Sequence, residues 1–389
     1  MHGNTDAYHV FILGCKGVPA RYGGYETFVD NLVTHQQSEN IRYAVACMSN
    51  RNKVETYKTA TCYHIRVPQI GSAKAVLYDF LAFRRFLRVI RKGQLKNCVI
   101  YVLACRLGPF FPALKRAAAK LNTKVYVNPD GHEWKRSKWN RPIKAYWKYS
   151  EGKMERDADL LICDSVNIER YIREEYSGYS PATTFIAYGA EVPGPAQNVE
   201  PYRRWLEKNG LQEKGYDLIV GRFVPENNYQ TMIEGFMASG TKKMLVLVTD
   251  VKRNAFFEDL ERQTGMSRDS RVRFVGTVYD APLLAQIRQG AFAYLHGHEV
   301  GGTNPSLLEA MATTELNLLL DVPFNREVGN DGALYFPKDA QRLARLLDEA
   351  ERLPAAERER LHQNAVRRIR EQYSWEKIVG EYERLFQRA

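Results

Sequence analysis

Short apolar runs alternate with segments of helical periodicity along nearly the whole chain. Strands that are apolar throughout, with helices between them, are typical of parallel sheets covered on both faces. The predicted strands of the first half are 8–13, 43–48, 63–67, 98–104, 124–128, 159–163 and 183–187. Those of the second half are 217–221, 244–249, 272–275, 292–295, 317–321 and 333–336. The pattern therefore predicts an α/β protein with two Rossmann-like domains.

Helices are predicted between most of these strands, at 25–36, 75–92, 110–121, 166–176, 228–238, 254–264, 281–289, 305–314 and 339–352. The periodicity stops at about 189–215, where GAEVPGPAQNVEP carries three prolines and suits a linker. This break predicts a first domain over 1–195 and a second over 215–371. Two doubly wound domains joined in this way are expected to face each other across a cleft, near the carboxyl ends of their strands.

The last segment, 372–389, predicts one more helix, which Ser374 can cap. Its apolar residues recur at helical spacing and form one stripe. The stripe consists of Trp375, Ile378, Val379, Tyr382 and Phe386.

The formal net charge of +11 lies in the first half of the chain. Residues 1–200 hold 29 Lys and Arg against 18 Asp and Glu, whereas residues 201–389 hold 27 of each. Within 79–153 the count is 18 against 4, and aromatic residues are interleaved at 75–92 and 134–149. A basic and aromatic surface suits an anionic membrane, although solvated helix faces have the same composition. Nucleic acid is the weaker alternative, since no recognised binding module is present.

The cysteines indicate a reducing compartment. All six lie in the first half, none forms a CxxC pair, and most occur in apolar runs such as YAVACM. We therefore expect buried, reduced thiols.

The N-terminal stretch lacks a charged segment followed by a long apolar one, and no window of ~18 apolar residues occurs, so neither a signal peptide nor a spanning helix is expected.

The segment 296–312, HGHEVGGTNPSLLEAMA, carries the most informative chemistry. Asn304 or Thr303 can cap a helix that begins at Pro305, since proline needs no N–H at that position. Unpaired amides at such a helix start bind phosphate, and Gly301-Gly302 would let the backbone approach it closely. Glu309 lies about one turn into the helix, where its carboxylate can accept hydrogen bonds from the two hydroxyls of a ribose.

With these features, GG-x-x-x-SLLEAMA resembles the donor-site motif of glycosyltransferase family 4, which has the GT-B fold. GRFVPENN at 221–228 is similar to the phosphate-binding loop of that family, with Arg222 in the arginine position. Three blocks, at 14–32, 128–139 and 298–310, resemble a bacterial subgroup that includes the β-1,4-L-rhamnosyltransferases of capsule and cell-wall polysaccharide assembly.

The chain departs from the family pattern at two positions. The family usually has two glutamates separated by seven residues, but Gly301 stands at the first position and Glu299 lies two residues earlier. Asn227 stands where many members carry lysine. Without that lysine, Arg222 and backbone amides would hold more of the diphosphate charge.

The resemblance implies a set of site residues. The implied donor-binding residues are Gly23, Gly24, Arg222, Asn227, Gly302, Thr303, Asn304, Ser306, Leu307 and Glu309. The candidate acceptor contacts are Arg21, Tyr25 and Glu26, and the candidate catalytic residues are Asp130, Arg222 and Glu299. Asp130 precedes glycine, so it is equally a candidate turn residue. His296 and His298 lack a third ligand, so neither a metal nor another cofactor is expected.

The implied reaction is retaining transfer of L-rhamnose from dTDP-β-L-rhamnose to a sugar on a polyprenyl diphosphate. The protein would act in the cytoplasm, peripherally on the inner face of the plasma membrane. Two alternatives stay open from the residues: a UDP- or GDP-sugar donor, and a nucleotide-binding or scaffolding homologue without catalysis.

Overall fold

The chain forms two compact units, each built on its own β-sheet. The computed structural model describes residues 7–20, 23–129, 131–136, 139–251 and 253–389. One unit consists of Met1–Gly189 together with Trp375–Ala389, and the other of Ala190–Ser374.

Strands and helices alternate in the first unit, as the hydrophobic pattern predicts. Its strands are β1 (Tyr8–Leu13), β2 (Ile41–Ser49), β3 (Lys53–Tyr57), β4 (Ala60–Arg66), β5 (Cys98–Leu103), β6 (Thr123–Asn128), β7 (Leu160–Cys163) and β8 (Thr183–Phe185). Its helices before the second unit are α1 (Gly24–Thr34), α2 (Lys74–Gly93), α3 (Phe111–Ala119), α4 (Arg141–Asp157) and α5 (Val166–Glu175).

The first sheet has the order β3-β4-β2-β1-β5-β6-β7-β8 in the described part of the chain. All neighbours run parallel except β3 and β4, which pair antiparallel. The sequence pattern missed β3, because KVETY is a polar, largely exposed edge strand without an apolar run. The chain reverses its direction of strand addition between β1 and β5, so the loops after these two strands leave the sheet side by side.

The second unit has the same alternation. Its helices are α6 (Glu200–Asn209), α7 (Tyr229–Ala238), α8 (Ala255–Thr264), α9 (Ala281–Gly290), α10 (Pro305–Thr313), α11 (Pro323–Gly329), α12 (Ala340–Arg352) and α13 (Ala355–Gln372). Its strands are β9 (Tyr216–Val220), β10 (Met244–Val248), β11 (Val272–Phe274), β12 (Ala293–His296), β13 (Leu316–Leu320) and β14 (Leu334–Phe336).

The second sheet, as described, has the order β11-β10-β9-β12-β13-β14 and is parallel throughout. Its strand order reverses between β9 and β12. Ligands of open α/β sheets bind at such a reversal, outside the carboxyl ends of the strands. The loops after β9 and β12 are therefore the first place to look for a site in this unit.

The structure differs from the prediction at the break between the halves. Helix α6 lies inside the stretch 189–215 that the prolines mark as a linker, and it buries Tyr202 and Trp205. Helices α4, α11 and α13 also have no counterpart among the predicted helices. Charged residues make up half of α6 and eight of the eighteen residues of α13, so neither helix contains an apolar run that marks it in the sequence.

All six cysteines are free and buried, as their apolar surroundings predict. Four of them lie in strands of the first unit, and Cys15 and Cys105 each follow the end of a strand by two residues. Burial raises the pKa of Cys98 to about 12, so its thiol stays protonated at neutral pH.

The final helix, α14 (Trp375–Phe386), packs within the first unit. All five residues of its predicted apolar stripe are buried. The Tyr382 ring lies 5.1 Å from the ring of Phe28 and 5.9 Å from that of Tyr101, whose hydroxyl it contacts at 3.2 Å. The Glu383 carboxylate accepts hydrogen bonds from the backbone amides of Gln37 and Ser38 at 2.9 and 2.8 Å.

Because Tyr382 is fully buried, Tyr382→Ala should lower the free energy of unfolding by about 3–5 kcal/mol. Tyr179 is 53% exposed, so Tyr179→Ala should change the free energy of unfolding by less than about 0.5 kcal/mol. Urea unfolding followed by tryptophan fluorescence measures both, since four of the five tryptophans lie in the first unit. Equal effects of the two substitutions would contradict the packing role of α14.

Candidate functional site

The loops after β9 and β12 in the second unit are joined by side-chain hydrogen bonds. The amide of Asn228 donates to the Gly297 carbonyl at 2.8 Å and to the Glu299 carboxylate at 3.0 Å. A side chain at position 297 would place its Cβ 2.4 Å from the carbonyl oxygen of Asn227, so only glycine permits this approach. The amide of Asn227 is buried and donates to the Arg222 carbonyl at 2.7 Å. The two loops therefore form one surface at the carboxyl edge of the sheet.

Helix α10 begins at this surface in the way that the sequence predicts. Asn304 is the N-cap, its side-chain oxygen accepts from the Ser306 amide at 2.9 Å, and Pro305 is the first helical residue. Thr303, the alternative cap, is buried. The positive end of the helix dipole thus lies beside the β9 and β12 loops.

The amides at this helix start differ from the expectation in one respect. The amide of Ser306 is taken by the cap, and that of Leu307 donates to the Asn304 carbonyl at 3.0 Å. Within the described chain, the amides of Gly301, Gly302 and Asn304 donate no hydrogen bond. The preceding glycine loop, more than the helix itself, therefore offers donors for an anion.

Glu309 lies one turn into α10 and contacts a buried arginine. Its Oε2 is 2.6 Å from Nη2 of Arg288, a residue of α9 whose side chain is 4% exposed, whereas that of Glu309 is 43% exposed. Arg288 also donates to the Ser306 hydroxyl at 3.2 Å. The Tyr294 hydroxyl lies 3.1 Å from the same serine and 3.2 Å from Nδ1 of His296. A polar chain beneath the helix start therefore connects Glu309 to strand β12.

His296 is the innermost member of this chain. Burial and the neighbouring His298 hold its pKa well below the usual range, and the two rings stack with centroids 4.3 Å apart. Neutral imidazole is thus the form expected in the fold. No group of three or more metal-ligating side chains occurs in the described ranges. Metal independence stays a prediction.

Arg222 and Glu299 lie in the loops after β9 and β12. The side chain of Arg222 is exposed and, within the described residues, has no hydrogen-bond or ion-pair partner. Partial burial raises the pKa of Glu299, but hydrogen bonds from Lys338 at 2.6 Å and from Asn228 outweigh it and hold the pKa below its usual range. Glu299 is therefore an ionised carboxylate that already has a cation beside it.

Sequence reasoning did not identify Arg288, Asn228 or Lys338. Arg288 lies in the unremarkable helical stretch APLLAQIRQG, where an arginine is usually exposed. Lys338 follows β14, far along the chain from Glu299. Only the fold shows that these residues lie beside the motif residues.

In the first unit, the loop after β1 is shaped by glycines with positive φ. A Cβ on Gly14 would lie 2.1 Å from the Leu103 carbonyl oxygen, so the loop packs directly against the end of β5. Gly23 is the N-cap of α1 and Gly24 its first residue. A Cβ on Gly24 would meet no atom of the described residues within 4 Å.

Two of the residues predicted to contact the acceptor substrate, Tyr25 and Glu26, make hydrogen bonds within the first unit. Glu26 accepts from the Lys16 amide at 2.7 Å, and the Tyr25 hydroxyl lies 3.4 Å from Oδ1 of Asn128 at the end of β6. Arg21 and Asp130 lie outside the described residues, so their predicted roles stay predictions.

A buried ion pair holds the same loop from below. Arg106, which follows β5, donates to the Gly14 carbonyl at 2.8 Å and to Asp79 of α2 at 3.0 Å. Burial raises the pKa of Asp79 to about 6, and the guanidinium of Arg106 opposes that rise. The glycine loop is thus connected through Arg106 to helix α2.

The comparisons with known proteins agree with this arrangement of two units. Residues 202–368 match the family model described as Glycosyl transferases group 1, and residues 7–191 match one described as Domain of unknown function (DUF1972). A comparison with curated proteins finds no match.

Solved structures are similar over nearly the whole chain. Sucrose-phosphate synthase from Thermosynechococcus elongatus is 17% identical with a TM-score of 0.78, and 98% of each chain is covered. An α,α-trehalose-phosphate synthase (UDP-forming) from Burkholderia xenovorans is 14% identical with a TM-score of 0.72, covering 98% of this chain and 100% of that one. HepE from Anabaena, in complex with UDP, is 12% identical with a TM-score of 0.70 and the same coverage.

These similarities establish the GT-B fold, as the sequence predicts. The group 1 match lies on the unit that carries the capped helix and the glycine loop. Together the fold and this match support a glycosyltransferase of the GT-B type. The rhamnosyltransferase subgroup stays a prediction.

The buried Asp79 predicts a pH dependence. Because its pKa of about 6 exceeds the ordinary 3.8, the folded state binds the proton more tightly, and this contribution to stability is full below about pH 4 and lost as the pH rises through 6. Between pH 4 and 7 the free energy of unfolding of the wild type should therefore fall by roughly 2 kcal/mol relative to that of Asp79→Asn.

Urea titrations across this pH range measure the difference. Asp259→Asn removes a carboxylate that is 57% exposed, and this variant should follow the wild type. If Asp79→Asn gives the same pH profile as the wild type, the buried carboxyl is not the titrating group.

Proposed function

We propose that the protein transfers L-rhamnose from dTDP-β-L-rhamnose to a sugar carried on a polyprenyl diphosphate, with retention of the anomeric configuration. The observation that supports a diphosphate-bearing donor is the glycine loop before α10, whose amides at Gly301, Gly302 and Asn304 have no partner in the described chain. A diphosphate is the ligand class that such a loop and helix start bind best.

Donor binding is supported by two further side chains. Arg222 is exposed in the loop after β9 and offers forked donors to phosphate oxygens. Glu309 is ionisable, partly exposed and one turn into α10, where it can accept a hydrogen bond from the sugar of the nucleoside. Asn227, by contrast, would act through the loop, because its amide is committed to the Arg222 carbonyl.

The proposed chemistry relies on stabilising the leaving diphosphate. In retaining transfer of this type, the acceptor hydroxyl attacks on the face from which the diphosphate departs, and a diphosphate oxygen assists its deprotonation. Arg222 and the amides of Gly301, Gly302 and Asn304 would stabilise the developing charge without a metal ion, and positioning of the two substrates would supply the rest. Glu299 is the candidate for contact with the transferred sugar, held by Lys338.

The first unit would hold the acceptor. A Cβ on Gly24 would meet no atom of the described residues within 4 Å, whereas Gly23 packs against the carboxylate of Glu26, and Tyr25 and Glu26 follow at the start of α1. With Arg21 and Asp130, these residues are the proposed acceptor and catalytic contacts of this unit.

A lipid acceptor would give the basic face of the first unit a purpose. Arg84, Arg88 and Lys92 are exposed on α2, and the Arg84 guanidinium lies 5.6 Å from the ring of Phe80. The Phe110 ring is 44% exposed and lies 5.1 Å from that of Phe80. No helix of the described residues has the length and hydropathy of a membrane span. We therefore propose peripheral binding to the inner, anionic face of the plasma membrane.

A donor panel tests the function directly. The full chain is incubated with dTDP-rhamnose, UDP-sugars and GDP-sugars and a short polyprenyl-diphosphate acceptor, and product masses are read. Product from dTDP-rhamnose supports the proposal. Product from a UDP- or GDP-sugar alone would replace the donor, and nucleotide binding without any product would indicate a homologue that lost catalysis.

Arg222→Ala should lower kcat about 100-fold, because it removes a cation that stabilises the leaving diphosphate. Arg262→Ala is the control, since this arginine is 72% exposed on α8 of the same unit. Steady-state kinetics with the active donor measures both. Unchanged kcat in Arg222→Ala would remove this residue from the reaction.

Reversal of three charges on α2, in the variant Arg84→Glu/Arg88→Glu/Lys92→Glu, should weaken binding to phosphatidylglycerol vesicles about tenfold or more at low salt. The control reverses Arg342, Arg345 and Arg352, three exposed cations on α12 of the second unit. Vesicle co-sedimentation measures binding. Retained binding of the α2 variant would contradict the membrane assignment of that helix.

A further inference from the structure

Arg288 forms an ion pair with one oxygen of Glu309, the carboxylate proposed to bind the sugar of the nucleoside. Its Nη2 lies 2.6 Å from Oε2 of Glu309, whereas Oε1 has no hydrogen-bond or ion-pair partner in the described ranges. The side chain of Glu309 is 43% exposed, so Oε1 is available to a ligand. The carboxylate thus offers two unequal acceptors.

Arg288 is held in this position from both ends. Its carbonyl accepts a hydrogen bond from the Thr314 hydroxyl at 3.1 Å, at the far end of α10. Its Nη2 donates to the Ser306 hydroxyl at 3.2 Å, and that hydroxyl also contacts Tyr294 at 3.1 Å. With 4% of the side chain exposed, the guanidinium has no room to leave Glu309 when a ligand arrives.

This arrangement bears on how many sugar hydroxyls Glu309 can hold. A ribose presents two adjacent hydroxyls, and a carboxylate with both oxygens available can accept one from each. A 2′-deoxyribose presents only the 3′ hydroxyl. Arg288 takes one lone pair of Oε2 and neutralises its charge, so a hydroxyl at the remaining lone pair of that oxygen forms only a weak hydrogen bond that is not charge-assisted.

We infer that Arg288 makes the donor site indifferent to the 2′-hydroxyl, so that the site accepts a deoxyribonucleoside diphosphate as well as a ribonucleoside diphosphate. Arg288 is a positioning residue in this scheme, since it acts through Glu309. The inference rests on the proposed function, because it requires that the second unit bind a nucleoside diphosphate.

Calorimetry with UDP and 2′-deoxy-UDP tests the inference, because the two ligands differ only in the 2′-hydroxyl. The wild type should bind both with affinities within about twofold, since no additional charge-assisted hydrogen bond forms with UDP. Arg288→Met keeps most of the buried stem but frees Oε2, so it should bind UDP about tenfold more tightly than 2′-deoxy-UDP.

Two variants separate this effect from a general loss of structure. Arg288→Lys retains a cation beside Glu309 and should keep the affinity ratio near that of the wild type. Arg358 forms another ion pair of the second unit, 2.9 Å from Glu315, the residue before β13. Arg358→Met removes this pair and should leave the affinity ratio unchanged.

The outcomes are distinguishable even if Arg288→Met does not fold. A wild type that binds UDP tenfold or more tightly than 2′-deoxy-UDP would overturn the inference while leaving nucleotide binding intact. A wild type that binds neither of these ligands nor dTDP would contradict the proposed function itself. An Arg288→Met variant that folds and retains the wild-type ratio would show that Arg288 does not set it.

Discussion

The adjacency of β9 and β12 is the constraint on which the candidate donor site depends. These strands are neighbours in the sheet but far apart in the chain, so their loops leave the same edge and meet. The meeting is close because Gly297 has no side chain, and it is made specific by the amide of Asn228. Arg222 follows β9 and the start of α10 follows β12, so the pairing of these two strands brings both to the same edge of the sheet.

Much of this organisation could be predicted from the sequence. Nearly all central strands are apolar runs, so their pattern was unambiguous, and the cap at Asn304 with Pro305 has a local signature that does not depend on the rest of the fold. The polar edge strand β3 and the charged helices α6 and α13 were missed because they bury few residues. Their conformation is set by tertiary contacts, which a local pattern does not contain.

The site shows the same division between local and tertiary information. Motif residues such as Glu309 were found because a helix start has a fixed spacing. Arg288 and Lys338 were not, since they reach the site from α9 and from the loop after β14. The amides without a partner in the described chain also lie a few residues earlier than predicted. Asn304 accepts hydrogen bonds from the amides of Ser306 and Leu307, so the available amides are those of the glycine loop.

The uneven charge of the chain fits two different modes of binding. The second half, with 27 basic and 27 acidic residues, holds several of its site charges in pairs, such as Arg288 with Glu309 and Lys338 with Glu299, and leaves Arg222 exposed. Fixed pairs suit recognition of a small ligand, because each leaves a defined set of donors and acceptors. The first half presents exposed arginines on α2, where a diffuse positive potential attracts an anionic surface without requiring exact geometry. A neutral unit with paired charges and a basic unit with exposed ones would therefore suit the proposed transfer from a soluble donor to a lipid-borne acceptor.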